Sequence, residues 1–219
     1  MNLMYYFILF MIYSIIGWIV EVFYCLYTDH KLVNRGFLVG PYCPIYGSGC
    51  LLIIILLDST KHDFLGLFLK SIIICSILEY STSYIMEKLF KARWWDYSDK
   101  KFNINGRICL ETMLPFGILA CLVVYFVNPF FSNILLSIDV GYLKIISICL
   151  LTILLIDFII SFKVVINIRK KLGKITKDNT EEITKKIKKI MESSKIFHRL
   201  INAFPILKLD IFKSRKIKK

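Results

Sequence analysis

Long apolar runs are the feature that most constrains what this chain of 219 residues can fold into. Apolar side chains dominate five segments, separated by short polar stretches, at 3–27, 42–57, 64–90, 108–127 and 142–162. Hydrophobic residues make up 57% of the chain, whereas a soluble domain usually has about 45–50%. Such a surface is stable in hydrocarbon, where every backbone N–H and C=O must be paired within the protein. The sequence therefore predicts an all-α, polytopic transmembrane helical bundle with about five spans.

The second apolar segment, 42–57, is the least regular of the five. The other segments reach the roughly 20 residues that cross a bilayer core. Segment 42–57 is shorter, and Pro44, Gly47 and Gly49 interrupt its first half. It is therefore either a short span or a re-entrant segment.

The charges of the loops favour a crossing. With five spans and the C-terminus inside, loops 28–41 and 91–107 face the cytoplasm, and they carry most of the loop lysines and arginines. Of the outer loops, 58–63 then holds one lysine and 128–141 holds neither lysine nor arginine. Basic loops concentrate on the cytoplasmic side of membrane proteins. The pattern predicts a multi-pass cell-membrane protein with its N-terminus outside and its C-terminus in the cytoplasm.

Charge divides the chain into two regions. Residues 1–166 carry 12 Lys and Arg against 11 Asp and Glu, whereas residues 167–219 carry 17 against 5. We therefore expect a transmembrane domain at 1–166 and a basic cytoplasmic tail at 167–219. Helical spacing of apolar residues within 179–203 predicts a basic amphipathic helix on anionic lipid; a tail without a specific role is the alternative. Beside a membrane domain, the bilayer is the expected partner and nucleic acid is not.

The cysteines and histidines follow no functional spacing. Seven cysteines are scattered through the chain, with no C-x-x-C pair, and the three histidines are isolated. This pattern is typical of small buried side chains and predicts no disulfide framework. We expect no metal site and no cofactor.

Several polar side chains fall inside or beside the predicted spans. Charged groups at membrane depth are usually paired with one another or placed around a cavity. Such a cluster is either a substrate-binding site or a structural ion-pair network that fixes helix register. The candidate residues are Glu21, Asn34, Arg35, Glu79, Glu87, Trp95, Asp96 and Arg107.

Two pairings are expected among these charges. Arg35 precedes the irregular second segment, and its guanidinium should pair with Glu79 or with Glu21, since either lone charge would be costly there. Asp157, near the inner end of the last span, should pair with Lys163.

A set of motifs in fixed order resembles a known bacterial family, labelled ABC-transporter permease, type IV (CmpB-like). The resemblance covers about residues 5–125 and implies a permease role. The matching positions are Tyr13, Ser14, Gly17, Trp18, Glu21, Asn34, Arg35, Gly36, Phe37, Gly40, Pro41, Cys43, Pro44, Ile45, Tyr46, Gly47, Glu79, Tyr80, Glu87, Trp94, Trp95, Asp96, Tyr97, Ser98, Asn105, Gly106, Arg107, Ile108 and Cys109.

ATP-driven transport would need a second protein. The sequence holds no G-x-x-x-x-G-K-[ST] phosphate loop. The stretch 111–115 only faintly resembles the loop with which importer permeases grip an ATPase. A separate ATPase subunit and a homo-oligomer are therefore both open as partners.

Three classes of function are consistent with the residues. The first is a permease subunit of a transporter, in which interrupted helices and intramembrane charges form the site. The second is a membrane-embedded enzyme acting on a lipid or lipid-linked substrate, with Glu21, Glu79 and Cys43 as reactive groups, although no catalytic spacing is present. The third is a non-catalytic membrane scaffold.

Overall fold

The computed structural model describes residues 3–30, 32–90 and 93–173, together with Ile196 and Arg199. The helices are α1 (Leu3–Asp29), α2 (Pro44–Leu56), α3 (Phe64–Phe90), α4 (Leu110–Leu122), α5 (Asn128–Leu136) and α6 (Val140–Gly173). A 3₁₀ turn at Asp58–Thr60 precedes α3, and a π-helical turn at Val123–Val127 joins α4 to α5. Two short antiparallel strands, β1 (Asn103–Ile104) and β2 (Ile108–Cys109), pair Asn103 with Cys109. The predicted all-α membrane class is confirmed, and the predicted tail helix at 179–203 lies outside the described residues except for Ile196 and Arg199.

Four helical stretches of the described chain are long and apolar enough to cross a membrane. They are Leu3–Thr28, Phe64–Phe90, Leu110–Leu136 and Val140–Asn167. Large apolar side chains such as Ile73 and Leu155 are more than half exposed on their outer faces. Exposed apolar surface on this scale is stable when hydrocarbon surrounds it.

Helix α2 starts at mid-depth in the bundle. The N–H of Cys43, just before α2, donates to the carbonyl of Ser14 at 2.8 Å. At 1.5 Å per residue, Ser14 lies about 16 Å along α1. After α1 ends, the chain turns back and runs beside α1, first as coil at 34–43 and then as helix α2, which continues towards Leu9. We call this returning segment, half coil and half helix, the second traverse. Whether it completes a fifth crossing stays a prediction.

Glycines let α1 and α2 approach closely. A Cβ at Gly47 would collide with the carbonyl of Phe10 and the hydroxyl of Ser14. A Cβ at Gly17 would collide with the ring of Tyr46. The first turns of α2 are therefore packed tightly against α1.

The predicted loop at 128–141 is wrong for its first nine residues, which form α5. The Asn128 Oδ1 accepts hydrogen bonds from Tyr13 of α1 at 2.8 Å and from Ser132 at 3.2 Å, which hold the start of α5 in place. Pro129 lies in the first turn of α5, directly after the π turn, where a missing N–H is tolerated. Only 137–139 connects α5 to α6.

Contacts at the two ends show the helix directions. The Ser147 hydroxyl donates to the carbonyl of Met4, which places the starts of α1 and α6 together. Phe90 at the end of α3 packs near Phe162 of α6, with ring centroids 5.4 Å apart. Helices α1, α3 and α6 thus run one way, and α2 and α4 run the other. We call residues 93–109 the hairpin and the side of the bundle that carries them the hairpin end.

Candidate functional site

A cavity of about 460 Å³ lies between α1, α2, α3 and α4 and reaches towards the hairpin end. Its volume falls within the range of pockets that hold drug-sized ligands. Apolar side chains form most of its wall, and charged side chains line it only towards the hairpin end. The apolar wall includes Ile16, Ile53, Leu78, Phe116, Leu119, Ala120 and Val123.

An ion pair forms one side of the polar region. The Arg35 Nε lies 3.5 Å from Glu21 Oε2, and Arg35 Nη1 donates to Cys25 Sγ at 3.2 Å. The Tyr46 hydroxyl, from α2, donates to the other Glu21 oxygen at 2.6 Å. Of the two partners expected for Arg35, the geometry selects Glu21 and leaves Glu79 to another group.

Glu79 faces the cavity from α3 and is only 6% exposed. Its Oε1 accepts a hydrogen bond from the hydroxyl of Tyr97 at 3.2 Å. Its Oε2 is buried, and no group in the described part of the chain donates to it. Since a buried polar atom normally has a partner, an oxygen left free beside a cavity is a candidate ligand contact.

Asn34 shapes the coil that carries Arg35. Its Oδ1 accepts the indole N–H of Trp18 at 2.7 Å, and its Nδ2 donates to the carbonyl of Val39 at 3.1 Å. One amide side chain thus fastens the coil both to α1 and to itself. This double contact places Arg35 at the level of Glu21.

Asp157 on α6 holds the same coil, and sequence reasoning assigned it a different partner. Its Oδ1 accepts the N–H of Val39 at 2.8 Å and the Ser161 hydroxyl at 2.9 Å. Its Oδ2 accepts the N–H of Gly40 at 2.7 Å and the Tyr42 hydroxyl at 2.5 Å. The expected pairing with Lys163 is therefore wrong, because four donors from nearer groups occupy the carboxylate. An acid inside an apolar helix is a signal for such a role, but three of its four partners lie 115 to 118 residues away in the sequence.

A second polar cluster fastens the hairpin to α3. Glu87 Oε2 accepts hydrogen bonds from Arg93 Nε at 3.1 Å and from Arg107 Nη2 at 2.8 Å. Arg107 also donates to the Ser83 hydroxyl at 3.1 Å, and its carbonyl accepts the indole N–H of Trp95 at 3.0 Å.

Asp96 belongs to this hairpin cluster. Burial alone would raise the pKa of Asp96, but hydrogen bonds from Ser98 and the charge of Arg93 hold the pKa below its usual value. Ser98 donates to Asp96 Oδ1 through both its N–H and its hydroxyl, and Arg93 Nη1 lies 3.2 Å from the same oxygen. The carboxylate is thus held ionised within a local network.

The eight predicted site residues therefore fall into two groups. Glu21, Arg35 and Glu79 line the cavity, and Asn34 positions the coil that carries Arg35. Arg93 bridges Glu87 and Asp96, and Arg107 pairs directly with Glu87. Trp95 joins this network through the carbonyl of Arg107 and also lines the cavity. No group of three or more His, Cys, Asp or Glu within the described residues could hold a metal ion.

Tyr46 and Tyr97 complete the polar region. Both were part of the sequence motifs, but neither was among the candidate site residues. Each donates its hydroxyl to one of the two cavity carboxylates. The sequence does not show which carboxylate each hydroxyl meets, and only the fold places them at Glu21 and Glu79.

Comparison with known proteins agrees with this architecture. The family model described as Putative ABC-transporter type IV matches residues 8–162. This range includes α1 to α5, apart from the first five residues of α1, and most of α6. The comparison with curated proteins gave no match, and neither did the comparison with solved structures. The matched region contains every residue that lines the cavity. The chain is thus a helical membrane protein that belongs to the family described as Putative ABC-transporter type IV.

Proposed function

We propose that the chain is the permease subunit of a transporter in the cell membrane and that the cavity holds the substrate. The carrying observation is the convergence of Glu21, Arg35 and Glu79 on one cavity where the second traverse changes from coil to helix. Transporters commonly build their sites from interrupted helices near mid-membrane. Membership of a transporter family supports the same function.

The orientation proposed here follows from loop charge. The hairpin carries four lysines and arginines. At the opposite end of the bundle, the connection between α2 and α3 carries one, Lys61. Basic loops favour the cytoplasmic side, so we place the hairpin end in the cytoplasm. ATP hydrolysis would come from a separate subunit that contacts this end.

The test is to block the cavity without changing the outer surface. Thr82 lines the cavity on α3, whereas Ile85 on the same helix is 54% exposed. Thr82→Trp should fill the cavity, and Ile85→Trp is the matched control of equal size on the lipid-facing side. Membrane vesicles from native cells would be loaded with fluorescent amphiphiles that share one apolar chain and differ in head-group charge.

We expect ATP-dependent movement of at least one amphiphile in wild-type vesicles. Thr82→Trp should reduce that movement about tenfold or more, which corresponds to about 1.4 kcal/mol, and Ile85→Trp should leave it near wild type. Equal flux in vesicles with and without the chain, for every head group, would refute the permease function. Flux that needs no ATP would refute only the ATPase partnership.

A further inference from the structure

We infer that the cavity recognises an amphiphile with a cationic head group, an amine or quaternary ammonium, with Glu79 as the carboxylate that contacts it. This inference rests on the proposed permease function, because it names the substrate class for the same cavity. It follows from the charges that face the cavity, the rings beside them and the apolar wall behind them.

The charges facing the cavity do not balance. Among the described residues, its charged lining groups are Glu21, Arg35 and Glu79. Glu21 and Arg35 neutralise one another, since their side chains lie 3.5 Å apart. Within the described part of the chain, Glu79 has only the neutral Tyr97 hydroxyl as a hydrogen-bond partner. One carboxyl group therefore remains to be matched by a ligand.

Two other charged side chains near the coil do not fill this role. Asp157 lies behind the coil and accepts four hydrogen bonds there. Arg199 donates to the carbonyl of Phe37 at 3.4 Å and interacts electrostatically with Asp157. Neither residue lines the cavity. The imbalance at Glu79 is thus local to the cavity.

The free oxygen of Glu79 is the second observation that points to a ligand. Oε2 is buried on a side chain that is 94% buried, and no described residue donates to it. An unpaired buried acceptor costs about 1–3 kcal/mol. An ammonium N–H or a quaternary methyl group at this oxygen would supply the missing positive partner.

Aromatic rings that line the cavity suit a cation. Tyr97 holds Glu79, and Tyr46 lies edge-to-face with Phe116 at a centroid distance of 6.1 Å. All three rings line the cavity. Ring faces attract ammonium groups, and desolvation strengthens the attraction.

An anionic head group would fit poorly. Its natural partner, Arg35, is already held by Glu21 and Cys25. It would also meet the carboxyl of Glu79, and an uncompensated like charge in a low-dielectric site is strongly disfavoured. The apolar wall accepts the chain of any amphiphile, so the head group decides selectivity.

The experiment measures binding without transport. The full chain in nanodiscs of zwitterionic lipid would be titrated with decyltrimethylammonium, decanol and decyl sulfate, and empty nanodiscs would correct for partition into lipid. Trp94 and Trp95 line the cavity, so their fluorescence reports occupancy. Glu79→Gln removes the charge, and Glu111→Gln is the matched control because Glu111 is exposed and pairs with Lys100.

We expect wild type and Glu111→Gln to bind the cation about tenfold more tightly than decanol, a difference of about 1.4 kcal/mol. Glu79→Gln should abolish this preference while its melting temperature and its affinity for decanol stay near wild type. Equal affinity for the three probes, or a preference that survives in Glu79→Gln, would overturn the inference. Selective binding without flux, either with or without ATP, would instead overturn the permease function alone. Flux of neutral or anionic probes alone would keep the permease function and reject the cationic substrate.

Discussion

At the scale of single residues, the three charges of the cavity have different partners. Glu21 and Arg35 form an ion pair with side chains about one quarter exposed, whereas Glu79 is buried and, among the residues that the structure describes, is bonded only to Tyr97. A partly exposed pair contributes little to stability, and a lone buried charge is costly. Charge balance, and not the number of charges, therefore separates the Glu21–Arg35 pair from Glu79, the proposed ligand contact.

A double-mutant cycle tests this division. Arg35→Met and Glu21→Gln should show a coupling of about 1 kcal/mol in the free energy of unfolding, because each single change leaves its partner unpaired. The measurement is denaturant unfolding in detergent micelles.

Arg35→Met with Glu79→Gln is the matched control cycle. Since Arg35 contacts Glu21 and not Glu79 in the structure, the effects of this pair should add within about 0.5 kcal/mol. Strong coupling to Glu79 with none to Glu21 would show that the assigned pairing is wrong.

At the scale of elements, the coil at 34–43 is the unusual component. Coil at membrane depth leaves N–H groups without helical partners, and each unsatisfied group costs several kcal/mol in hydrocarbon. Asp157 supplies acceptors for two of them, and Ser14 supplies one for Cys43. The backbone N–H groups of the coil thus find acceptors in a side chain of α6 and a carbonyl of α1.

We expect Asp157→Asn to destabilise the protein by about 2–4 kcal/mol, because the amide has one acceptor oxygen where the carboxylate has two. Thermal and denaturant unfolding in detergent would measure the loss. Asp99→Asn, at an exposed hairpin position, should change stability by less than about 0.5 kcal/mol. If both variants unfold alike, the hydrogen bonds of Asp157 do not stabilise the coil.

The elements also show what sequence reasoning can reach. Helix α3 was predicted at 64–90 and is found at Phe64–Phe90. The residue that marks its start is next to it in the sequence, because Asp63 accepts the N–H of Gly66 at 3.0 Å. The predicted loop at 128–141 failed because Asn128 finds Tyr13, 115 residues away. The partners of Asp157 were missed for the same reason. The length of an apolar helix and its local capping contacts can be predicted from neighbouring residues. Polar contacts between helices join distant residues and can be identified only from the fold.

At the scale of the whole molecule, helix directions agree with alternating traverses. Helices α1, α3 and α6 run one way, and the coil with α2, followed later by α4 and α5, returns. The charged residues of the candidate site were recognisable in the sequence because charge is rare in apolar segments. Their division into a cavity group and a hairpin cluster depends on packing between helices.

Reporter fusions test the whole arrangement. Fusions after residues 61, 100 and 138 and at the C-terminus should read outside, inside, outside and inside, because the basic loops favour the cytoplasm. Each should be scored by a paired periplasmic and cytoplasmic reporter. A cytoplasmic reading at 61 together with an external reading at 100 would mean that α2 does not complete a crossing.

The hydrogen bonds from Val39 and Gly40 to Asp157 also determine when the protein can finish folding during its synthesis. The coil is translated more than 110 residues before its acceptor. Until α6 enters the bilayer, these two amides lack the carboxylate that satisfies them, and the second traverse is unfinished. A chain that stops before residue 157 would expose them to hydrocarbon or retreat towards water. Quality-control proteases should therefore remove nascent chains that end before α6, and a separately expressed α6 should rescue them.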